Sequence, residues 1–235
     1  NGRNGKCFIE VGIGPRPSYQ TYDRGHSAVA MIQPGDIDWE SVLDTRWFHT
    51  TGIITAVGEH TATEVAAALR AAKKNGATTS YDLNFRSTLW SREDAQKAMV
   101  EIMPYVDVVI GNEEDFETML GIKADNTDEN YSKIDPMCYK KADEKVMEKY
   151  PNVQVAGNSL REVTSACLNN WQCVMMTRNG CFVSRKHMNL EIYSFASGLI
   201  WCLMEGKPEL ECIDFAAAYS AMCHTIRNDW NLVIT

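Results

Sequence analysis

Asp82-Leu83-Asn84-Phe85-Arg86-Ser87-Thr88-Leu89-Trp90 lies where a strand hands over to a helix. Upstream, Ala77-Thr78-Thr79-Ser80-Tyr81 is rich in β-forming residues and follows a helix stop at Lys73-Lys74-Asn75-Gly76. Downstream, Ser91 with Glu93 and Asp94 reads as an N-cap with an acidic first turn, and Ala95, Met99 and Ile102 continue at helical spacing. A carboxylate, an amide and a guanidinium therefore stand at the carboxyl end of a strand, where open α/β sheets bind ligands. Val106 to Gly111, running into Asn112-Glu113-Glu114-Asp115-Phe116, is a second junction of the same kind. Two polar strand ends in tandem predict one shared ligand crevice.

Working outward, Lys6–Gly12 and Tyr19–Arg24 read as strands joined by a turn at Gly14-Pro15-Arg16-Pro17. Asp36–Asp44 reads as a short helix and Trp47–Thr51 as a core strand. Thr61-Ala62-Thr63-Glu64 has the capping-box pattern and opens a helix that ends at Gly76. Residues 121–137 read as an exposed acidic insertion, and Tyr139–Tyr150 as an amphipathic helix stopped by Pro151. Short strands follow at Val153–Ala156, Gln172–Thr177 and Cys181–His187, with Arg178-Asn179-Gly180 as a hairpin turn. Ser194–Glu205 and Leu210–His224 read as helices, with Trp201 and Met204 in the core. Strand and helix alternate in the first half, which predicts a parallel sheet covered by helices.

The 235 residues suffice for one sizeable α/β core. A formal net charge of −8 argues against a nucleic-acid partner, whose affinity would come from a basic face. No apolar run long enough to span a membrane occurs in the sequence. The eight cysteines form no C-x-x-C pair and have no zinc-ligand spacing, which predicts reduced thiols and a cytoplasmic protein. Neither a Walker A motif nor G-x-G-x-x-G occurs.

Asp82–Trp90 and Gly111–Phe116 resemble segments of the PfkB (ribokinase-like) carbohydrate kinases, and within them the 2-keto-3-deoxygluconate kinases. Gly14–Ala28, Trp47–Ile53, Ser194–Trp201 and Ala221–Leu232 match in the same order. The resemblance implies a ribokinase-like fold: a mainly parallel sheet covered by helices on both faces, with a small β lid. Residues 1–25 would be part of the lid and 26–235 an incomplete α/β core. It implies ATP and Mg²⁺ as cofactors, a small sugar acid as substrate, and a homo-oligomer joined through the lid. Tyr22, Arg24, Ile53 and Arg86 would hold the sugar acid, Arg24 and Arg86 gripping its carboxylate. Asn84, Asn112, Arg161, His224 and Asp229 would line the nucleotide, with Glu114 and Asp115 near Mg²⁺.

Simpler readings stand beside these. Asn112 is a good N-cap wherever it occurs, Arg86 a solvated loop arginine, Tyr22 and Arg24 an exposed strand face, and His49 a satisfied buried histidine. The family also carries an N-terminal part and a G-x-G-D segment whose Asp is the general base. Here Asn189-Leu190-Glu191-Ile192-Tyr193 runs into Ser194, with Tyr193 where that Asp is expected. Two alternatives stay open: residues intervene between Tyr193 and Ser194, giving a chain break there, or the protein is a catalytically dead relative with a binding or structural role.

Overall fold

The computed structural model describes residues 2–10, 19–112, 114–124, 135–163, 169–190 and 196–223. Two compact units divide the chain: Asn1–Val108 with Thr118–Gly121, and Val109–Glu117 with Ile122–Thr235.

In the first unit, β1 (Lys6–Glu10) and β2 (Tyr19–Asp23) pair antiparallel, Lys6 opposite Asp23 and Glu10 opposite Tyr19. All ten residues are exposed, Phe8 at 57% and Tyr19 at 66% among them. The predicted helix at 36–44 shrinks to one turn, α1 (Trp39–Val42). Asp36 instead accepts the Gln33 N–H at 2.8 Å and makes a turn. β3 (Trp47–Thr51) leads directly into α2 (Gly52–Ala56), then α3 (Thr61–Lys74), β4 (Thr78–Asp82) and α4 (Arg92–Ile102). β3 and β4 run parallel, with Thr51 opposite Asp82. Leu69, Ala72, Ala95, Met99 and Ile102 are buried, as their helical spacing predicts.

The capping box at Thr61 does not form. Thr61 is the first helical residue; its hydroxyl donates to the carbonyls of Thr55 (2.9 Å) and Gly58 (2.8 Å). Glu64 turns to Trp39, whose indole N–H reaches its carboxylate at 2.8 Å. Tertiary partners outcompete the local cap. His49, expected to be buried, is exposed, and its Nδ1 lies 2.8 Å from the buried Ser80 hydroxyl. Trp47 Nε1 donates to the same hydroxyl at 2.8 Å, so Ser80 ties both side chains to β4.

The second unit takes in all but the first residue of β5 (Val108–Asn112), which leads into α5 (Asp115–Leu120) across the division between the units. α6 (Pro136–Lys149) starts at an Asp135 cap whose side chain accepts the Met137 N–H. Asp135, assigned from sequence to the insertion, is therefore a helix cap. β6 (Val155–Val163), β7 (Asn169–Thr177), β8 (Gly180–Val183) and β9 (His187–Leu190) pair antiparallel, with β7 against each of the other three. The single strand expected at 181–187 splits at Ser184, which still donates its N–H to the Cys173 carbonyl at 3.0 Å but returns its hydroxyl in place of its carbonyl. Its hydroxyl accepts the Cys173 N–H and donates to the Arg185 carbonyl, both at 2.9 Å.

α7 (Ala196–Met204) and α8 (Glu209–Cys223) complete the unit. Trp201 stacks on Phe215 with ring centroids 5.0 Å apart yet stays 44% exposed, and Met204 is exposed too, so neither is core. Asp143 on α6 is buried and accepts from Asn158 on β6 at 2.6 Å; burial pushes its carboxyl well above the usual carboxylate range.

Candidate active site

The exit of β4 is shaped by a glycine and an asparagine. Thr51 caps α2 by accepting the Ile53 N–H at 3.1 Å, which brings Gly52 onto the chain leaving β4. A Cβ on Gly52 would lie 2.0 Å from the Leu83 carbonyl oxygen, so only glycine fits. Behind it, Thr55 and Tyr81 share a buried hydroxyl–hydroxyl bond of 2.6 Å, and burial raises the Tyr81 phenol. Asn84 then adopts φ +38°, in the left-handed region where Asn is one of the few tolerated side chains. That turn directs the half-buried Phe85-Arg86 segment away from the strand.

Arg86 Nη1 donates to the Phe85 carbonyl at 2.7 Å. Among the described residues this single bond leaves most of a five-donor guanidinium available. Trp90 closes the loop with a buried indole N–H that has no acceptor among the described residues. Ile53, Asn84 and Arg86 are thus gathered around the Gly52–Leu83 contact. On the β1/β2 hairpin, the Arg24 guanidinium stands 3.8 Å over the Tyr22 ring, and Tyr22 donates to Gln20 at 2.6 Å.

The exit of β5 is closed on itself. The Asn112 side chain accepts the N–H groups of Glu114 (2.8 Å) and Asp115 (3.0 Å), while Asp115 Oδ2 accepts the Asn112 N–H at 3.0 Å. This is a reciprocal capping box with Asp at its fourth position. Asp115 is buried at 4% exposure and Glu114 is exposed. Ser159 on β6 donates to the Gly111 carbonyl at 3.4 Å, and Arg161 lies two residues further along the same face of that strand. Arg161 was expected after a strand; β6 runs to Val163, so it lies within one, and its side chain is exposed. His224, Asp229 and the Tyr193–Ser194 junction lie outside the described residues.

Among the described residues no group of three His, Cys, Asp or Glu gathers to hold a metal. The β5 exit offers one exposed carboxylate, Glu114, and one drawn into a helix cap, Asp115. That set suits Mg²⁺, which keeps most of its waters and takes one or two carboxylates besides phosphate oxygens. It is no all-protein cage. Gly52 and Trp90 are the site features that sequence reasoning missed. Both stand inside quoted motifs, and only the folded backbone shows what each approaches.

An α/β protein with polar groups at successive strand exits and a separate small antiparallel hairpin has the layout of a carbohydrate-kinase fold. The chain matches the pfkB family of carbohydrate kinases over residues 1–147 and belongs to that family. It has a mixed central sheet of mostly parallel strands flanked by helices, the ribokinase-like arrangement. It is similar to the crystal structure of 2-dehydro-3-deoxygluconokinase from Thermotoga maritima, with 38% identity and a TM-score of 0.88, covering 97% of this chain and 70% of that one. It is 37% identical over 123 residues to 2-dehydro-3-deoxygalactonokinase of Haloferax volcanii, 52% of this chain and 39% of that protein. The chain thus spans well under half of that relative's length. A Ribokinase II structure from E. coli in complex with ATP and Mg²⁺ shares the fold (16% identity, TM-score 0.67, covering 95% of this chain and 65% of that one).

Proposed function

We propose that the protein is an ATP- and Mg²⁺-dependent kinase of a small sugar acid of the 2-keto-3-deoxygluconate type. The observation that carries this reading is the half-buried Arg86, anchored by one backbone carbonyl at a strand exit beside Asn84. A planar guanidinium held in that way suits bidentate capture of a carboxylate, the group that separates a sugar acid from a neutral sugar. Relatives whose names describe 2-dehydro-3-deoxy sugar-acid kinases support it.

In this reading Arg86 and Arg24 bind the carboxylate, with Tyr22 and Ile53 against the sugar. Asn84, Asn112 and Arg161 serve the nucleotide, and His224 and Asp229, which lie outside the described residues, are assigned to it from the sequence alone. Glu114 and Asp115 orient the water shell of Mg²⁺, which neutralises phosphate charge when bound. The chain's own contribution is positioning and charge stabilisation, which dominate phosphoryl transfer. Residues 1–25 serve as lid, and the exposed β1/β2 surface pairs with the same surface of a second copy, giving a dimer. A two-stranded hairpin is marginal alone, and a partner would cover Phe8 and Tyr22. Light scattering at micromolar concentration tests this; a monomer removes the lid contact.

Among the described residues no helix is long and apolar enough to cross a membrane, and we place the protein in the cytoplasm. A second reading, sugar-acid binding without transfer, is favoured by Tyr193 standing where the family's base is expected. One pair of measurements separates the two. ADP release with 2-keto-3-deoxygluconate and ATP·Mg²⁺ supports the kinase. Calorimetric binding of the sugar acid without ADP release supports the binding protein, and neither signal removes both.

A further inference from the structure

α7 and α8 form a hairpin whose register is readable from its contacts. A Cβ on Gly198 would lie 3.1 Å from Cα of Ala216 and 3.2 Å from Cβ of Tyr219, so the backbones pass at close range. One turn nearer the connection, the same two faces carry Cys202 and Cys212, each four residues from that crossing. The two thiols lie close enough for each to shift the other's titration.

The connection holds them there. The Lys207 N–H donates to the Cys202 carbonyl at 3.1 Å and the Gly206 N–H to the Leu203 carbonyl at 3.2 Å, with Gly206 at φ +63°: a Schellman cap. Cys212 Sγ donates to the Lys207 carbonyl at 3.4 Å. Both residues are free thiols, 2% and 0% exposed. Helices in such contact bring facing Cα atoms towards the roughly 4.4–6.8 Å that a disulfide spans.

We propose that Cys202 and Cys212 form a redox-convertible dithiol, closed by a peroxide into a disulfide that staples α7 to α8. The Cys202 thiolate attacks one peroxide oxygen and becomes a sulfenic acid, with water leaving. The Cys212 sulfur then attacks the Cys202 sulfur and a second water leaves. Two S–H bonds and one O–O bond are lost, one S–S bond and two O–H bonds form as the thiol protons pass to the departing oxygens, the sulfurs are oxidised and the peroxide is reduced. Burial and Glu211 raise the Cys202 thiol, opposed by its contact with Cys212 and by Lys207, whereas nothing offsets the rise at Cys212, so Cys202 is the attacking thiol. Cys212 is pushed up to about 12, by burial first and then by Cys202, Glu209 and Glu211. Closure is therefore slow at neutral pH and quickens as pH rises.

The test exposes the folded 235-residue chain to hydrogen peroxide, then denatures it in iodoacetamide and cleaves with proteases specific for Glu and Asp, which cut at Glu205, Glu209 and Glu211 between the two cysteines and at Asp214 between Cys212 and Cys223. The expected result is a linked peptide pair carrying Cys202 and Cys212, about 2 Da lighter than the two thiol peptides together. Reduction separates the pair, and the oxidised chain melts at a higher temperature than the reduced one. In Cys212→Ala the linked pair disappears and Cys202 takes a sulfenic-acid label instead. Alkylation of both cysteines in a sample whose exposed Cys7 has been oxidised overturns the proposal. So does linkage of Cys202 to any other cysteine. The wild-type peptide map decides even if the variant does not fold.

Discussion

At the end of β4, Asn84 sits at φ +38° and Arg86 bonds the carbonyl of its own neighbour Phe85; at the end of β5, Asn112 and Asp115 close on each other through three hydrogen bonds of 2.8–3.0 Å. Both junctions use an amide and a charged side chain two or three residues apart. The first takes its shape from a backbone contact at Gly52, and among the described residues the Arg86 guanidinium bonds only the Phe85 carbonyl. The second takes its shape from side chains, which commits them. Residues that look equally functional in sequence thus divide into one group available to a ligand and one that maintains the fold.

The largest expected effect tests the contact that shapes the first junction. Gly52→Ala would press a methyl to 2.0 Å from a carbonyl oxygen of the main chain, and about 3 kcal/mol of stability should be lost, read from the urea midpoint. Gly111→Ala meets the Phe116 ring at 2.9 Å, a side chain that can rotate, and should cost about 1 kcal/mol. Equal losses would erase the distinction between the two exits.

Next in size is Arg86→Ala. Removing a charge-assisted bidentate contact should raise KM for the sugar acid by about 10–100-fold, or roughly 1.5–3 kcal/mol, while KM for ATP holds. Stability should move by no more than about 0.5 kcal/mol. Arg86→Lys should recover only part of the loss, since a point charge cannot bind two oxygens in a plane. Equal effects on both substrates would take Arg86 away from the sugar.

Asn112→Ala should behave in the opposite sense, losing about 1 kcal/mol of stability with the loss of its cap and leaving the sugar-acid KM unchanged. A large KM change would mean that the β5 exit is less committed than its bonds show. The smallest effect belongs to the glycine variant of Asn84. Asn84→Ala should cost about 1 kcal/mol for the left-handed turn, whereas Asn84→Gly should be close to neutral in thermal melts.

Much of this layout was legible because local chemistry and tertiary structure agree. Ser91 accepts the Asp94 N–H at 3.1 Å as its position predicts, and the turn at Arg178-Asn179 joins Thr177 to Gly180. The readings that failed did so where a distant partner captured a group with a local role on offer. Trp39 took Glu64 from the Thr61 box, and the Cys173 N–H took Ser184 out of its strand. Arg161 was misplaced because the strand was expected to end at Ala156, yet the β7 ladder carries it on to Val163, Gly157 opposite Met175. The site was legible as a set of motifs. Which members were already occupied was not, because Gly52 and Leu83 are 31 positions apart in sequence.

The β1/β2 ribbon, with all ten residues exposed, has a consequence for hydrogen exchange. None of these ten side chains is buried, so the ladder opens by its own local equilibrium with a free energy close to zero. Amides at Leu69 or Met99, buried between helices, exchange only when the whole unit opens. The protection map should therefore fall into two tiers, and any molecule that settles on the ribbon should announce itself by moving Phe8 and Tyr22 from the fast tier towards the slow one.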